Sequence, residues 1–372
     1  MKVLFRADAS LQIGSGHVMR CLSLADALRS AGAECEFICR AHPGHLIDFI
    51  ESKGFKAHAL MVETTGQAPQ TDSSEALPAH AHWLGVSWQR DAQECAEILV
   101  SEQPAWLVLD HYALDEQWER SLRHAYRKLL VIDDLADRSH ECDVLLDQNL
   151  GREAAHYLHR VPARCQLLVG AQFALLRPEF HRLRTFSLQR RANSSLGQIL
   201  ISMGGVDLPN ATQAVLQALR HCPLPANCRI TVVMGATAPW LNAVSAEAQS
   251  IPWPTEVVVN VSNMAERMAQ SDLAIGAAGS TSWERCCLGL PTLMVTLAEN
   301  QVAGATALQS AGAALWIGDV ANIEQNLQPL VAACLQEGAL SRMSAAAAAI
   351  CDGRGLESVV DYLTRNEGGS NA

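Results

Sequence analysis

The stretch SDLAIGAAGSTSWERCCLGLPTLMV, residues 271–295, contains the pattern on which the fold prediction rests. An apolar strand over Leu273–Ile275 runs into a turn of small residues, Gly276 to Ser280, and a helix is predicted from Thr281. A second apolar strand follows at Leu293–Thr296. A helix that joins two successive strands carries the chain back along the sheet, so the two strands are predicted to be parallel.

The same alternation extends in both directions along the chain. Further strands are predicted at Val3–Arg6, Cys35–Arg40, Phe55–Leu60, Trp106–Asp110, Leu129–Asp133, Ile199–Met203, Ile230–Met234 and Glu256–Asn260. Helices are predicted from about His17 to Ala31, over Leu46–Lys53 and Gln89–Glu102, up to Arg127, from Asn210, and over Gly355–Thr364. Strands that alternate with helices indicate an α/β fold built on doubly wound parallel sheets.

The length of the chain, 372 residues, exceeds what one hydrophobic core usually spans, so two domains are expected. The composition turns basic and then small and polar over Arg177–Gly197, which we interpret as the connection between them. We expect a Rossmann-like N-terminal domain over 1–180, a second Rossmann-like domain over 197–345, and a C-terminal helix and tail over 346–372. The two domains are expected to face each other across a cleft.

Composition restricts the classes of partner. A formal net charge of −11 repels a phosphate backbone, so no nucleic-acid partner is expected. The twelve cysteines include no C-x-x-C pair and are expected to be reduced and buried. The N-terminus lacks the features of an export signal, and no apolar stretch reaches the roughly 18 residues that span a bilayer. We expect a cytoplasmic protein with no membrane insertion and no obligate protein partner.

The N-terminal segment RADASLQIGSGHVMR, residues 6–20, supplies the first candidate for chemistry. Gly14 and Gly16 let the backbone pass close to a ligand, with Asp8 at the end of the preceding strand. The following helix begins at about His17, and the positive end of a helix disfavours an imidazolium, so His17 is predicted to be a neutral general base. The alternative is a histidine that caps or packs under the turn. A third glycine of the dinucleotide fingerprint is absent, which argues against NAD.

The segment LVLDHYALD, residues 107–115, supplies the second candidate. Asp110 closes an apolar strand, and His111 and Tyr112 follow in the loop at its carboxyl end, where ligands of parallel sheets gather. An ordinary turn at the end of a strand explains the same residues equally well.

The small residues that open the predicted helix at Thr281 supply a third candidate. Backbone amides at Gly279, Ser280 and Thr281 are predicted to hold a diphosphate without a metal. Glu284 is placed to accept hydrogen bonds from ribose hydroxyls, although an acid in the first turn of a helix is also favoured by the helix dipole alone. A second glycine turn, Gly204–Gly205, follows another strand and either approaches the phosphates or is only a tight turn.

Glu299, Asn300 and Gln301 form a further polar turn after an apolar strand. Asparagine commonly caps helices, which is the competing interpretation of Asn300. No metal site is predicted: the acidic run of Asp133, Asp134 and Asp137 lacks histidines at ligand spacing, and a solvated loop explains it.

Taken together, these segments resemble the UDP-2,4-diacetamido-2,4,6-trideoxy-β-L-altropyranose hydrolases of pseudaminic acid biosynthesis. The matching blocks are MKVLFRADASLQIGSGHVMRCLSLADAL, LVLDHY, VIDDLADRSHECDVLLDQN, GAQFALLRPEF, ISMGGVD, SDLAIGAAGSTSWERCCLGLP and AENQ, in the same order. That family is similar in turn to the glycosyltransferase that completes lipid II. The resemblance therefore implies the glycosyltransferase-B (GT-B) arrangement of two domains.

The resemblance also implies roles for individual residues. His17 is implied to be the catalytic base. Tyr112 and Asn300 are implied to be active-site residues, and we group Asp8, Gly14, Gly16 and Gln301 with them as residues expected to bind the substrate. Gly279, Ser280 and Glu284 are implied to hold UDP, and we group Thr281, Gly204 and Gly205 with them. No cofactor and no metal are implied.

The implied reaction is hydrolysis at the anomeric carbon, in which water displaces UDP with inversion. UDP is a good leaving group, so one base, His17, suffices. Two rivals stay open. One is a true glycosyltransferase using a UDP-N-acetylhexosamine donor; the other is a non-catalytic protein that binds nucleotide sugars.

Overall fold

The strands of the chain form two separate parallel sheets. The computed structural model describes residues 1–62, 77–192, 195–236 and 238–365. The chain divides into a first unit, residues 1–175 together with the segment from 355 onward, and a second unit, residues 176–354.

The first unit contains a seven-stranded sheet in the order β3-β2-β1-β4-β5-β6-β7. Its strands are β1 Lys2–Ala7, β2 Glu34–Arg40, β3 Lys56–Leu60, β4 Trp106–Asp110, β5 Lys128–Ile132, β6 Val144–Asp147 and β7 Gln166–Val169. The central strands are near-continuous apolar runs buried on both faces, as expected where helices cover both sides of a parallel sheet.

Helices α1 Gly16–Ser30, α2 Ile47–Ser52, α3 Trp88–Glu102 and α4 Glu116–Ser121 follow the strands of this sheet. Two of them begin at residues whose side chains satisfy free amides of the first turn. The hydroxyl of Ser87 accepts from the amide of Arg90 at the start of α3, and the carboxylate of Asp115 accepts from the amide of Gln117 at the start of α4.

The second unit contains a six-stranded sheet in the order β10-β9-β8-β11-β12-β13. Its strands are β8 Gln198–Ser202, β9 Arg229–Met234, β10 Thr255–Val259, β11 Leu273–Ala277, β12 Thr292–Val295 and β13 Ala314–Gly318. The helices of this unit are α5 Pro178–Arg191, α6 Ala211–Leu219, α7 Leu241–Ala248, α8 Met264–Gln270, α9 Thr281–Cys287, α10 Val302–Ser310, α11 Ile323–Cys334 and α12 Ala339–Ile350.

The division differs from the expected boundaries at two places. The segment interpreted as a connection is largely helix α5, where Arg184 donates to the backbone carbonyls of Cys287 and Cys351 in the second unit. The helix expected in a separate tail, α13 Gly355–Arg365, belongs to the first unit and packs against α1. At the start of α13, a Cβ at Gly355 would lie 2.4 Å from the backbone of Phe173, so glycine lets the helix approach that segment closely.

Three strands, β6, β7 and β13, were not predicted. The helix predicted up to Arg127 is shorter, because α4 ends at Ser121 and turns lead into β5. From the sequence we expect the polar stretch 63–78 to be a solvated insertion, and most of it lies outside the described residues. The α/β class with two doubly wound parallel sheets is confirmed. In the described ranges, each helix is too short or too polar to cross a bilayer.

Candidate active site

The candidate residues lie where the order of each sheet reverses. In the first sheet, chain order runs outward from β1 through β2 and β3 on one side and from β4 onward on the other. The second sheet has the same arrangement around β8 and β11. Ligands of open parallel sheets bind at such switch points, beyond the carboxyl ends of the strands. The loops after β1 and β4, and after β8 and β11, are therefore the expected positions.

His17, in the first turn of α1, makes its main polar contact with the end of β4. Its Nδ1 lies 2.5 Å from Oδ1 of Asp110, and the two side chains are 10% and 0% exposed. A carboxylate only accepts, so Nδ1 carries the hydrogen and donates it to Asp110. Nε2 is then the ring nitrogen with a free lone pair. This tautomer and orientation suit a general base.

Asp110 is held in place by Arg20, one turn further along α1. The Arg20 guanidinium donates from Nε to Oδ2 at 2.6 Å and from Nη2 to Oδ1 at 2.7 Å, a two-bond contact. Burial acts to raise the pKa of Asp110, but the charge of Arg20 and the hydrogen bonds from Arg20 and His17 outweigh it and hold that pKa well below its usual range. Asp110 is therefore ionised, and a carboxylate in this position would stabilise a protonated His17 ring.

Tyr112 lies against the base, and its hydroxyl is engaged by the protein. The hydroxyl donates to Oδ2 of Asp134 at 2.6 Å, and the same oxygen accepts from Arg20 Nη1 at 2.7 Å. The ring of Tyr112 meets the ring of His17 edge-on, with centroids 4.5 Å apart. We expect direct sugar contact from Tyr112; in the structure its hydroxyl is bonded to Asp134 and its ring packs against His17.

Asp8 was expected to contact substrate, and the structure places it inside the protein. Its side chain is 0% exposed. It accepts from both terminal nitrogens of Arg6, at 2.5 and 3.0 Å, and from the backbone amide of Arg40 at 2.7 Å. Nε2 of His111 lies 3.2 Å from the second oxygen. Asp8 thus fixes the ends of β1 and β2 and leaves little surface for a ligand.

The glycines of the first turn lie near His17 as expected. Gly14 has a φ of +78°, a left-handed conformation that favours glycine, and the space where its Cβ would project is open. Gly16 is the first residue of α1. Both glycines are half-buried.

In the second unit, adjacent strands bring three predicted segments to one edge. Gly276 of β11 pairs with Ser202 of β8, and Ala277 pairs with Val295 of β12. The segments that follow these strands are therefore neighbours at the carboxyl edge; they contain Gly204 and Gly205, Gly279 to Glu284, and Asn300 with Gln301. A Cβ at Gly279 would meet Nε2 of Gln301 at 3.7 Å, which shows how closely two of them approach.

The accessible groups at this edge are mostly backbone and amide. Gly204, with a φ of +91°, and Gly205 are exposed, and so is the side chain of Asn300. Gln301 is partly engaged, because its side-chain oxygen accepts from the amide of Leu297 at 2.9 Å. Helix α9, which begins at Thr281, has seven residues, so any diphosphate there would rely on local amides and side chains more than on a long helix dipole.

Two charged neighbours in α9 lack an ion-pair partner among the described residues, Glu284 and Arg285. Burial raises the pKa of the half-buried Glu284 carboxyl to about 7, and Arg177 and Arg285 lower it only in part. Burial also lowers the pKa of Arg285 to about 10. Its Nη2 donates to the carbonyl of Ala277 and the hydroxyl of Ser282, and Nε, although buried, has no acceptor in the described chain.

The acidic run after β5 is engaged with cations of the protein. Arg138 pairs with Asp133 at 3.0 Å and with Asp137 at 2.9 Å. Asp134 is the partner of Arg20. A different group, Glu36, His58 and Glu102, has metal-ligand spacing, but the ammonium groups of Lys2 and Lys56 already contact its carboxylates.

Sequence reasoning placed Asp110 at the strand end but gave it no role, and it missed Arg20 and Arg285 entirely. Arg20 lies three residues after His17, a spacing that puts both side chains on one face of a helix. Arg285 directly follows Glu284, inside a block that was already singled out. Those spacings were the available signals.

Comparisons with known proteins agree with this geometry. Residues 200–354 match the glycosyltransferase family 28 C-terminal domain. The crystal structure of MurG from Acinetobacter baumannii superposes with a TM-score of 0.69 at 16% identity, covering 98% of this chain and 99% of that one. The protein therefore has a GT-B-like fold, with two Rossmann-type units.

Two curated relatives extend the match across both units. The UDP-2,4-diacetamido-2,4,6-trideoxy-β-L-altropyranose hydrolase of Campylobacter jejuni is 26% identical over 84% of this chain and 97% of its own length. An uncharacterised protein of Methanocaldococcus jannaschii is also 26% identical, over 81% of this chain; the match spans only 56% of that longer protein. The resemblance inferred from the sequence is confirmed.

Proposed function

We propose that the chain is a nucleotide-sugar enzyme, and within that class a hydrolase that cleaves UDP-2,4-diacetamido-2,4,6-trideoxy-β-L-altropyranose. One observation carries the proposal: the hydrogen bond from His17 Nδ1 to the buried, ionised Asp110, which leaves Nε2 as a base. The similarity to the C. jejuni hydrolase over 84% of the chain supports the choice of substrate.

In the proposed reaction, Nε2 of His17 takes a proton from water as the water oxygen bonds to the anomeric carbon. The bond from that carbon to the diphosphate oxygen breaks, and its electron pair leaves with UDP. Attack from the face opposite the leaving group inverts the anomeric centre. Asp110 stabilises the resulting imidazolium, and Tyr112 keeps the ring from turning.

We assign the binding of UDP to the second unit. Backbone amides of Gly204, Gly205 and residues 279–281 are the proposed donors to the diphosphate. Arg285 supplies a buried positive charge beneath the same segment, which favours the charge that develops on the departing phosphate. Glu284 is the proposed acceptor for ribose hydroxyls, and Asn300 and Gln301 are proposed to orient the sugar. None of these roles requires a metal.

Incubation of the purified protein with the UDP-diacetamido sugar, with no acceptor present, tests the proposal. Release of UDP and free sugar in equal amounts is the expected result. A protein that binds the nucleotide sugar and releases nothing would refute the hydrolase assignment.

A glycosyltransferase is the second candidate, because residues 200–354 match a glycosyltransferase domain. It would use a UDP-N-acetylhexosamine donor and the hydroxyl of an acceptor, with His17 as base toward that hydroxyl. Turnover that begins only when an acceptor is added would favour it.

A further inference from the structure

An aromatic cluster extends outward from the proposed base, and part of it comes from a segment that has no role in the proposed reaction. The ring centroids of His80 and Trp83 are 4.5 Å apart, and those of His80 and Tyr112 are 5.5 Å apart. Trp83 stacks on Tyr112 at 5.7 Å with an angle of 25° between the planes. Because Tyr112 also meets His17, the four rings form a continuous series that begins at the base.

The segment that carries His80 and Trp83 is fixed to the first unit at three points. Leu84 is buried in the core of that unit. Gly85 has a φ of +75°, and a Cβ there would lie 2.8 Å from the ring of His42, so glycine lets the segment pack closely. The side-chain amide of Gln12 contacts Nε2 of His82 at 3.0 Å, which ties the segment to the glycine turn before His17.

The outer rings of the cluster are more exposed than the inner ones. Tyr112 is buried and its hydroxyl is committed to Asp134, whereas His80 and Trp83 are half-buried. Burial lowers the pKa of His80, so its ring is neutral at pH 7. Its Nδ1 is buried and has no hydrogen-bond partner among the described residues. An apolar, preformed surface of this kind suits a ligand with exposed methyl and C–H groups.

We propose that Trp83, supported by His80, is the specificity-determining wall that contacts the apolar groups of the sugar. This inference rests on the proposed function. A 2,4-diacetamido-2,4,6-trideoxy sugar carries two acetamido methyl groups and a methyl at C6, where a common hexosamine has hydroxyls at C4 and C6. Aromatic rings favour the methyl groups of the diacetamido sugar, and they leave the C4 and C6 hydroxyls of a common hexosamine without hydrogen-bond partners. Discrimination of this kind is worth about tenfold to a hundredfold.

The test compares Trp83→Ala, Trp83→Phe and Trp88→Ala. Trp88 is a matched control, because it is a half-buried tryptophan five positions further along whose ring packs on the core of the same unit. Each variant is made twice. The substitution alone is assayed for turnover, and the substitution combined with His17→Asn is used to measure binding of the intact sugar nucleotide by calorimetry. UDP and UDP-N-acetylglucosamine are titrated beside it, and circular dichroism reports folding.

We expect Trp83→Ala to lose about tenfold to a hundredfold in affinity for the diacetamido sugar nucleotide, with UDP affinity unchanged. Trp83→Phe should recover most of the loss, and Trp88→Ala should show none. Unchanged affinity in Trp83→Ala, or an equal loss for UDP and both sugar nucleotides, would overturn the inference. If wild type releases no UDP while Trp83→Ala still loses binding selectively, the hydrolase proposal fails and the specificity wall stands.

Discussion

Each sheet has one edge at which the carboxyl ends of its strands lie, and the two edges balance their charges in opposite ways. In the first unit, the buried guanidinium groups meet carboxylates: Arg6 with Asp8 and Asp91, Arg20 with Asp110 and Asp134, Arg40 with Asp91 and Glu94, and Arg138 with Asp133. In the second unit, Glu284 and Arg285 are neighbours at the edge, and within the described residues neither has an ion-pair partner.

This difference in charge pairing fits different roles for the two edges. A fully paired edge keeps its geometry with or without a ligand, which is what the proposed role of His17 as a base requires. An unpaired buried charge is costly until an opposite charge or a hydrogen-bonding group arrives. The nucleoside diphosphate that we propose as ligand would offer both, with phosphates for Arg285 and ribose hydroxyls for Glu284. We therefore infer that the first edge is preorganised for chemistry and the second is completed by its ligand.

Replacement of His17 should produce the largest effect. His17→Asn removes the proposed base, so kcat should fall by about 10²–10⁴-fold while KM changes little. His124→Asn, at an exposed position of the same unit, is the matched control and should behave as wild type. Steady-state assays of UDP release make the measurement. A folded His17→Asn protein with near-wild-type kcat would contradict the inference that the edge of the first unit is preorganised for chemistry.

Loss of the unpaired cation should come next in size. Arg285→Met should weaken binding of UDP by about tenfold to a hundredfold, as expected for loss of a charge-assisted contact, while binding of uridine changes little. Calorimetric titration with UDP and with uridine measures the two affinities. Arg285→Lys should retain part of the affinity for UDP that Arg285→Met loses. An equal loss for UDP and uridine would indicate that Arg285 only braces the segment.

The unpaired carboxyl should make UDP binding depend on pH. Burial raises the pKa of Glu284 to about 7, and only the ionised form is a pure acceptor for ribose hydroxyls. Affinity should therefore be highest above that pKa and fall as the pH drops through it, by up to about tenfold from pH 8 to pH 6.

Glu284→Gln serves as the control for this pH dependence, because UDP itself also titrates in that range. The variant should bind more weakly at pH 8 and lose the part of the pH dependence that Glu284 contributes. Identical pH curves for the two proteins would leave the helix-dipole interpretation of Glu284 in place.

The smallest expected effect is that of chelation. The diphosphate is assigned to backbone amides and Arg285, so EDTA should leave turnover nearly intact. Activity that disappears with EDTA and returns with Mg²⁺ or Mn²⁺ would show that a metal supplies the counter-charge at the second edge.

The sequence predicts most of the fold because alternating strands and helices leave a strong pattern. For β6 and β7 the pattern fails because these strands follow one another without an intervening α-helix. No α-helix separates β5 from β6 or β6 from β7, and these last two strands have four residues each, so they were missed. Helix α5 was missed because its basic composition resembles a linker, although its apolar and small side chains pack in the second unit.

The sequence predicts only those parts of the candidate site that lie within a single short segment of the chain. The turn before His17 and the strand end at Asp110 are visible in sequence, but the two residues are 93 positions apart. Their contact depends on β1 lying beside β4, a pairing that no local pattern gives. The burial of Asp8 has the same origin, since Arg40 reaches it through the pairing of β1 with β2. Tertiary pairing thus decides which polar residues are free.

The central claim is that water attacks the anomeric carbon with His17 as its base. The most direct test is turnover of the UDP-diacetamido sugar in ¹⁸O-labelled water without an acceptor. Mass spectrometry of the released UDP then reports where water attacked, because the phosphate oxygens of UDP do not exchange with solvent under these conditions. The account predicts UDP with no label, equimolar free sugar, and a first-formed anomer of inverted configuration by NMR. Label in the terminal phosphate of UDP, or no release until an acceptor hydroxyl is added, would contradict it.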